Sequence, residues 1–164
     1  MKKKSAFCLL TMLFMVISLS SYAQRAEFSG EWKLDREKST IPDNQLFLSK
    51  ITIQVKGDTL HTTRVYENGM GEEYPFDENI SLDSNECNVV IYDMPRKSKA
   101  FFAENDSLLN VESKTTFNGG YGEEDLIAKE SWKIDPESGI LTLEFTNSMS
   151  GTDLKGTYFY KRSN

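Results

Sequence analysis

Ile51-Thr52-Ile53-Gln54-Val55-Lys56-Gly57-Asp58-Thr59-Leu60-His61-Thr62-Thr63-Arg64-Val65-Tyr66-Glu67 reads as two β-strands folded about a tight turn. Ile51, Ile53 and Val55 alternate with Thr52 and Gln54, the period of two that gives a strand one apolar face. Lys56-Gly57-Asp58 supplies the turn, and Thr59 to Glu67 the returning strand. Strands joined by so short a loop run antiparallel, because a parallel crossover needs about a dozen residues or more.

The pattern continues in both directions. Upstream, Phe28, Gly30, Trp32 and Leu34 alternate with Ser29, Glu31 and Lys33. Downstream, strands are expected over Glu72 to Asp77, Asn79 to Leu82, Cys87 to Asp93, Ser98 to Ala103, Leu108 to Phe117, Leu126 to Ile134, Ile140 to Thr146 and Gly156 to Lys161. Glu104 to Ser107 and Pro136 to Gly139 have the composition of hairpin loops. The one helical opportunity lies between Asp35 and Gln45, where Asp35 can cap a single turn through Lys38 before Pro42 ends it. The fold class is therefore all-β. A long antiparallel sheet with one greasy face closes into a barrel or splits into a sandwich, and consecutive hairpins favour an up-and-down barrel of about 8–10 strands.

Residues 1–23 have another character. Lys2, Lys3 and Lys4 precede an apolar run from Ala6 to Leu19, followed by Ser21-Tyr22-Ala23. That is the pattern of a secretory signal peptide cleaved after Ala23. The run of about 14 residues is short of the roughly 20 that cross a bilayer. The expected mature product is a single domain, residues 24–164, exported to a periplasm or secreted. Cleavage would remove three of the 19 basic side chains and none of the 25 acidic ones, moving the formal charge from −6 to −9. A field of that sign repels phosphate backbones and anionic lipid, so neither nucleic-acid binding nor membrane insertion is expected. With Cys8 inside the signal, Cys87 has no partner for an intramolecular disulfide, and the core must hold the domain.

Phe28-Ser29-Gly30-Glu31-Trp32-Lys33-Leu34, followed by Asp35 to Ser39, resembles the Gly-x-Trp opening strand of lipocalin-like bacterial exported proteins of the calycin group. Leu108 to Val111, Glu130-Ser131-Trp132-Lys133-Ile134, Leu141 to Leu143 and Tyr158-Phe159-Tyr160-Lys161 are similar to that family's later strands. The resemblance spans nearly all of residues 24–164. It implies a barrel plugged at one end by Trp32, a basic residue, Lys161 or Arg162, stacked on that ring, and a cavity for a small apolar molecule. The fatty-acid-binding branch carries an Arg-x-Tyr pair on the last strand; this chain has Tyr158-Phe159-Tyr160 there and no Arg.

Period two also selects candidate site residues. If Leu60 faces inward, so do Thr62, Arg64 and Tyr66; if Trp132 does, so does Glu130. Charges in an apolar interior need partners. Two readings stay open: Arg64 with Tyr66, Glu130 and Trp132 binds a ligand's polar group, or Arg64 and Glu130 form an ion pair in a filled barrel. His61 and Cys87 are the only His and Cys after the signal, and Cys87 shares a face with Val89 and Ile91, as a small buried hydrophobe would. No catalytic residue, metal ligand or cofactor motif is identified. Asp83 to Met94 starts like a calcium loop, but Asn88 stands where Gly is required and Met94 where Glu is required. The leading expectation is a non-enzymatic barrel binding a small, largely apolar ligand. The rivals are a protein-interaction module with a protein partner and, behind it, an enzyme.

Overall fold

The computed structural model describes residues 24–41, 45–103, 106–119 and 122–163. The expected signal segment, Pro42 and part of the loop 104–107 lie outside the described residues. The described residues form ten strands: β1 (Gly30–Leu34), β2 (Phe47–Lys56), β3 (Thr59–Glu67), β4 (Glu73–Ser81), β5 (Cys87–Ile91), β6 (Met94–Ala103), β7 (Leu108–Gly119), β8 (Gly122–Ile134), β9 (Leu141–Met149) and β10 (Thr152–Arg162). They make one antiparallel sheet in the order β4-β3-β2-β1-β10-β9-β8-β7-β6-β5, a nearly closed up-and-down barrel in which the first strand pairs with the last.

Several boundaries differ from the sequence reading, each for a local reason. Glu72 to Asp77 and Asn79 to Leu82 belong to one continuous strand, β4, in which Phe76, Glu78 and Ile80 keep the alternation. Glu78 interrupts the apolar pattern without interrupting the strand, because it has partners inside the barrel. β6 starts at Met94, four residues before the expected Ser98, after a two-residue turn in which Tyr92 (φ 49°) and Asp93 (φ 64°) both take the left-handed conformation. That hairpin geometry ordinarily uses Asn or Gly, so the sequence carries little sign of it. β9 and β10 likewise run on to a tight turn at Ser150 and Gly151. Between Asp35 and Ile41 no helix forms; Lys38 N donates to Asp35 O across a turn. One helical turn stands instead at residues 24–27.

Alternating strand direction gathers the turns β2–β3, β4–β5, β6–β7 and β8–β9 at one end. That end is densely apolar: Ile53, Leu60, Ile80, Ala100, Leu109, Trp132 and Leu141 have no exposed surface. Trp32 also sits there at 0% exposure, its Nε1 donating to Phe28 O at 2.9 Å. Arg162 lies over the Trp32 ring, 4.5 Å from its centroid, and donates to Ser29 O and Glu27 O, sealing this end from outside. Of the two basic residues expected to stack there, Arg162 does so, while Lys161 reaches Asp35 at 2.8 Å.

The barrel does not close by backbone pairing everywhere. β4 and β5 end the sheet and face each other across a seam. Side chains bridge it. Glu78 accepts from Arg96 Nε at 3.0 Å and from the Ser98 hydroxyl, Tyr92 OH donates to Pro75 O, and Ser81 N donates to Cys87 Sγ at 3.2 Å.

Candidate functional site

Halfway along the interior, the apolar floor gives way to a polar belt. β3 contributes Thr62 and Arg64, β4 Glu78, β6 Arg96 and Ser98, β7 Ser113 and Thr115, and β8 Glu130, all buried. Each lies on the inner face of its strand by the same period that points Leu60, Ile80, Ala100, Val111 and Trp132 inward. The belt is thus a consequence of register. A slip of one residue would turn all of these to solvent.

The four residues singled out from the sequence are placed as follows. Arg64 has 0% exposure and forks onto Glu130, Nη1 to Oε1 at 2.8 Å and Nη2 to Oε2 at 2.9 Å. Trp132 Nε1 donates to the same carboxylate at 2.9 Å, and the guanidinium lies 5.1 Å from the centre of the Trp132 ring. Tyr66 is half-buried beside them, stacked on Phe76 at 5.9 Å between centroids. Arg64, Glu130 and Trp132 therefore form one bonded cluster, with Tyr66 above it toward the β3–β4 turn. Arg64 and Glu130 form the ion pair of the second sequence reading.

The electrostatics follow from that geometry. Burial pushes the Glu130 carboxyl up, but the Arg64 charge and its two hydrogen bonds, helped by Arg96 and Trp132, outweigh burial and hold it below the ordinary carboxylate value. Arg64 is raised in turn: burial works against its charge, and Glu130 more than compensates. Burial raises the Tyr66, Tyr158 and Tyr160 phenols, so all three stay protonated. Glu130 is thus an ionised carboxylate with its oxygens already engaged.

His61 and Cys87 are not brought together. His61 is bonded to Asn79 Oδ1 at 2.9 Å on the outer wall, whereas Cys87 accepts from Ser81 N beside the seam. Among the described residues, no group of three or more His, Cys, Asp or Glu side chains is poised to hold a metal ion. No described helix is long and apolar enough to cross a membrane.

A second charged pair in the belt went unnoticed in the sequence. Arg96 bonds Glu78 and donates to Thr115 Oγ1 at 3.1 Å, tying β6 to β4 and β7. The signal was available. Arg96 alternates in phase with Ser98, Ala100 and Phe102, and Glu78 with Phe76 and Ile80.

Beyond the belt, toward the turns β3–β4, β7–β8 and β9–β10, the inner face becomes apolar again but is no longer covered. Tyr66, Phe76, Phe117, Leu126 and Leu154 are inward by period and only partly buried. Open grooves of about 450 Å³ over Lys129, Glu144 and Lys155 and about 800 Å³ over Lys33, Lys50 and Lys161 both lie on the outer wall. Neither is an interior chamber. Compared with known proteins, the chain matches no protein-family model and no curated protein.

Proposed function

We propose that the protein is an exported, non-enzymatic, lipocalin-like barrel that takes a small, largely apolar ligand at its open end. The observation that carries this reading is the contrast along one inner face. Apolar side chains at the Trp32 end are completely buried, whereas Tyr66, Phe76, Phe117, Leu126 and Leu154 at the other end leave apolar surface uncovered inside a concave wall. A small apolar molecule seated there would remove that surface from water, at roughly 25 cal/mol for each Å² buried. The Gly30-Glu31-Trp32 opening, its arginine stack and the pairing of first strand with last are compatible with the lipocalin-like family. Arg64, Tyr66, Glu130 and Trp132 make the floor of this site.

Native mass spectrometry of the protein purified from an exporting host tests it. An adduct of a few hundred daltons, lost on organic extraction, is the expected result. A bare mass, together with failure of the extracted protein to enhance an apolar fluorescent dye, overturns it.

A second reading, a protein-interaction module, is favoured by a different observation. Leu46 (50% exposed), Met70 (83%) and Tyr92 (56%) stand in solvent at or beside the turns of the open end. Apolar side chains gathered on a rim suit a partner's surface. The bare-mass outcome with a co-purifying polypeptide would support it.

A further inference from the structure

Among the described residues, two polar atoms of the belt have no hydrogen-bond partner, Thr62 Oγ1 and Arg64 Nε, although both residues are at 0% exposure. They belong to β3, two residues apart on its inner face, about 7 Å along the strand. Other buried polar groups nearby are engaged: Arg64 Nη1 and Nη2 by Glu130, Arg96 by Glu78 and Thr115, and the Ser98 hydroxyl by Glu78. Buried polar groups are ordinarily paired, so two orphans on one inner strand face mark a place where something else supplies an oxygen.

We propose that Thr62 and Arg64 Nε form the polar end of the ligand site, and that they select a neutral oxygen acceptor, a hydroxyl or carbonyl carried by an apolar chain, over a carboxylate. This deepens the reading of a small apolar ligand and rests on it. The argument is charge balance. Arg64 is matched by Glu130 and Arg96 by Glu78, so the four charges of the belt sum to zero before any ligand arrives. An anionic head group would bring a third carboxylate to two guanidiniums that are already neutralised, in an interior where an uncompensated charge is expensive. A neutral oxygen adds no charge. It accepts from Arg64 Nε, and the Thr62 hydroxyl donates to it or accepts from it. The chain of the ligand then runs past Leu126 and Leu154 to the open end.

The experiment compares 1-decanol with decanoate at pH 8, by displacement of an apolar fluorescent dye from the extracted protein. Thr62→Val, which keeps the shape and removes the hydroxyl, and Thr62→Ser, which keeps the hydroxyl, are measured beside the wild type. The expected result is that decanol binds about tenfold or more tightly than decanoate, because only decanoate brings an uncompensated charge into the interior. Thr62→Val is expected to weaken decanol about tenfold, the worth of one buried hydrogen bond, and Thr62→Ser to keep wild-type decanol binding. Decanoate binding as well as or better than decanol overturns the inference and leaves the proposed function standing. Decanol binding unchanged by Thr62→Val also overturns it, since an internal water would then satisfy the two orphans. If the dye binds but neither probe displaces it, the head-group assignment falls; if the dye does not bind, the proposed function falls with it.

Discussion

The Arg64 guanidinium on β3 and the Glu130 carboxylate on β8 meet fork to fork across the barrel interior, 66 residues apart in sequence, with Trp132 bonded to one and stacked against the other. Two strands that share no backbone ladder are thereby fixed in register relative to each other. The price of such a pair is desolvation of both charges, so its strength shows only when one partner is removed.

Glu130→Leu leaves Arg64 charged and unpaired in the interior, and is expected to cost about 3–5 kcal/mol in urea unfolding. The double variant Arg64→Met/Glu130→Leu is expected to recover most of that loss. Equal destabilisation by the single and double variants would show that the pair contributes packing and not charge compensation.

Acid should dissect the same pair. The Glu130 carboxyl is held below its ordinary value of 4.5 in the folded protein, so the unfolded chain takes up its proton first. The stability it supplies is complete above about pH 4.5 and is lost as pH falls through the lower folded value. Urea midpoints between about pH 3 and about pH 7, below and above the carboxylate range, are expected to fall more steeply on the acid side for the wild type than for the double variant. Parallel curves would contradict a depressed Glu130.

At the sealed end, Arg162→Ala is expected to lower stability by about 1–2 kcal/mol, from the loss of the ring contact and of two hydrogen bonds to backbone carbonyls. Gly30 is coupled to it. A Cβ at Gly30 would lie 2.9 Å from Arg162 Nη1, and the backbone there has φ +150°, a conformation that favours glycine. Gly30→Ala should therefore cost less in the Arg162→Ala background than in the wild type. A thermal-unfolding double-mutant cycle measures the difference, and strict additivity would refute the coupling.

The seam yields a local readout. Glu78→Ala removes the acceptor shared by Arg96 and Ser98, the side-chain bridge from β4 to β6. Amide hydrogen exchange should accelerate along β4 and β5, the two ends of the sheet, while β8 and β9, paired on both sides, stay protected. Uniform acceleration over all ten strands would mean that the seam does not open on its own.

Much of this site was legible as phase. Once Leu60 and Trp132 are taken as inward, the period of two carries Thr62, Arg64 and Glu130 to the interior with no further information. The same rule applied to Phe76-Asp77-Glu78 and Arg96-Lys97-Ser98 would have found the second pair; charged letters in short apolar runs obscured it. Turns with non-glycine residues in the left-handed conformation, Tyr92-Asp93 above all, were not legible, because the energy that holds them there comes from the strands they join.

The amino-acid sequence by itself determined that this chain is all-β, antiparallel and rolled around an apolar face, since alternation and loop length act between near neighbours. Only the tertiary structure decided which charge meets which, that Arg162 and not Lys161 covers Trp32, and that Thr62 Oγ1 and Arg64 Nε are left over. Those outcomes depend on how far each strand is offset around the barrel, a sum over nine strand pairings that no local spacing records.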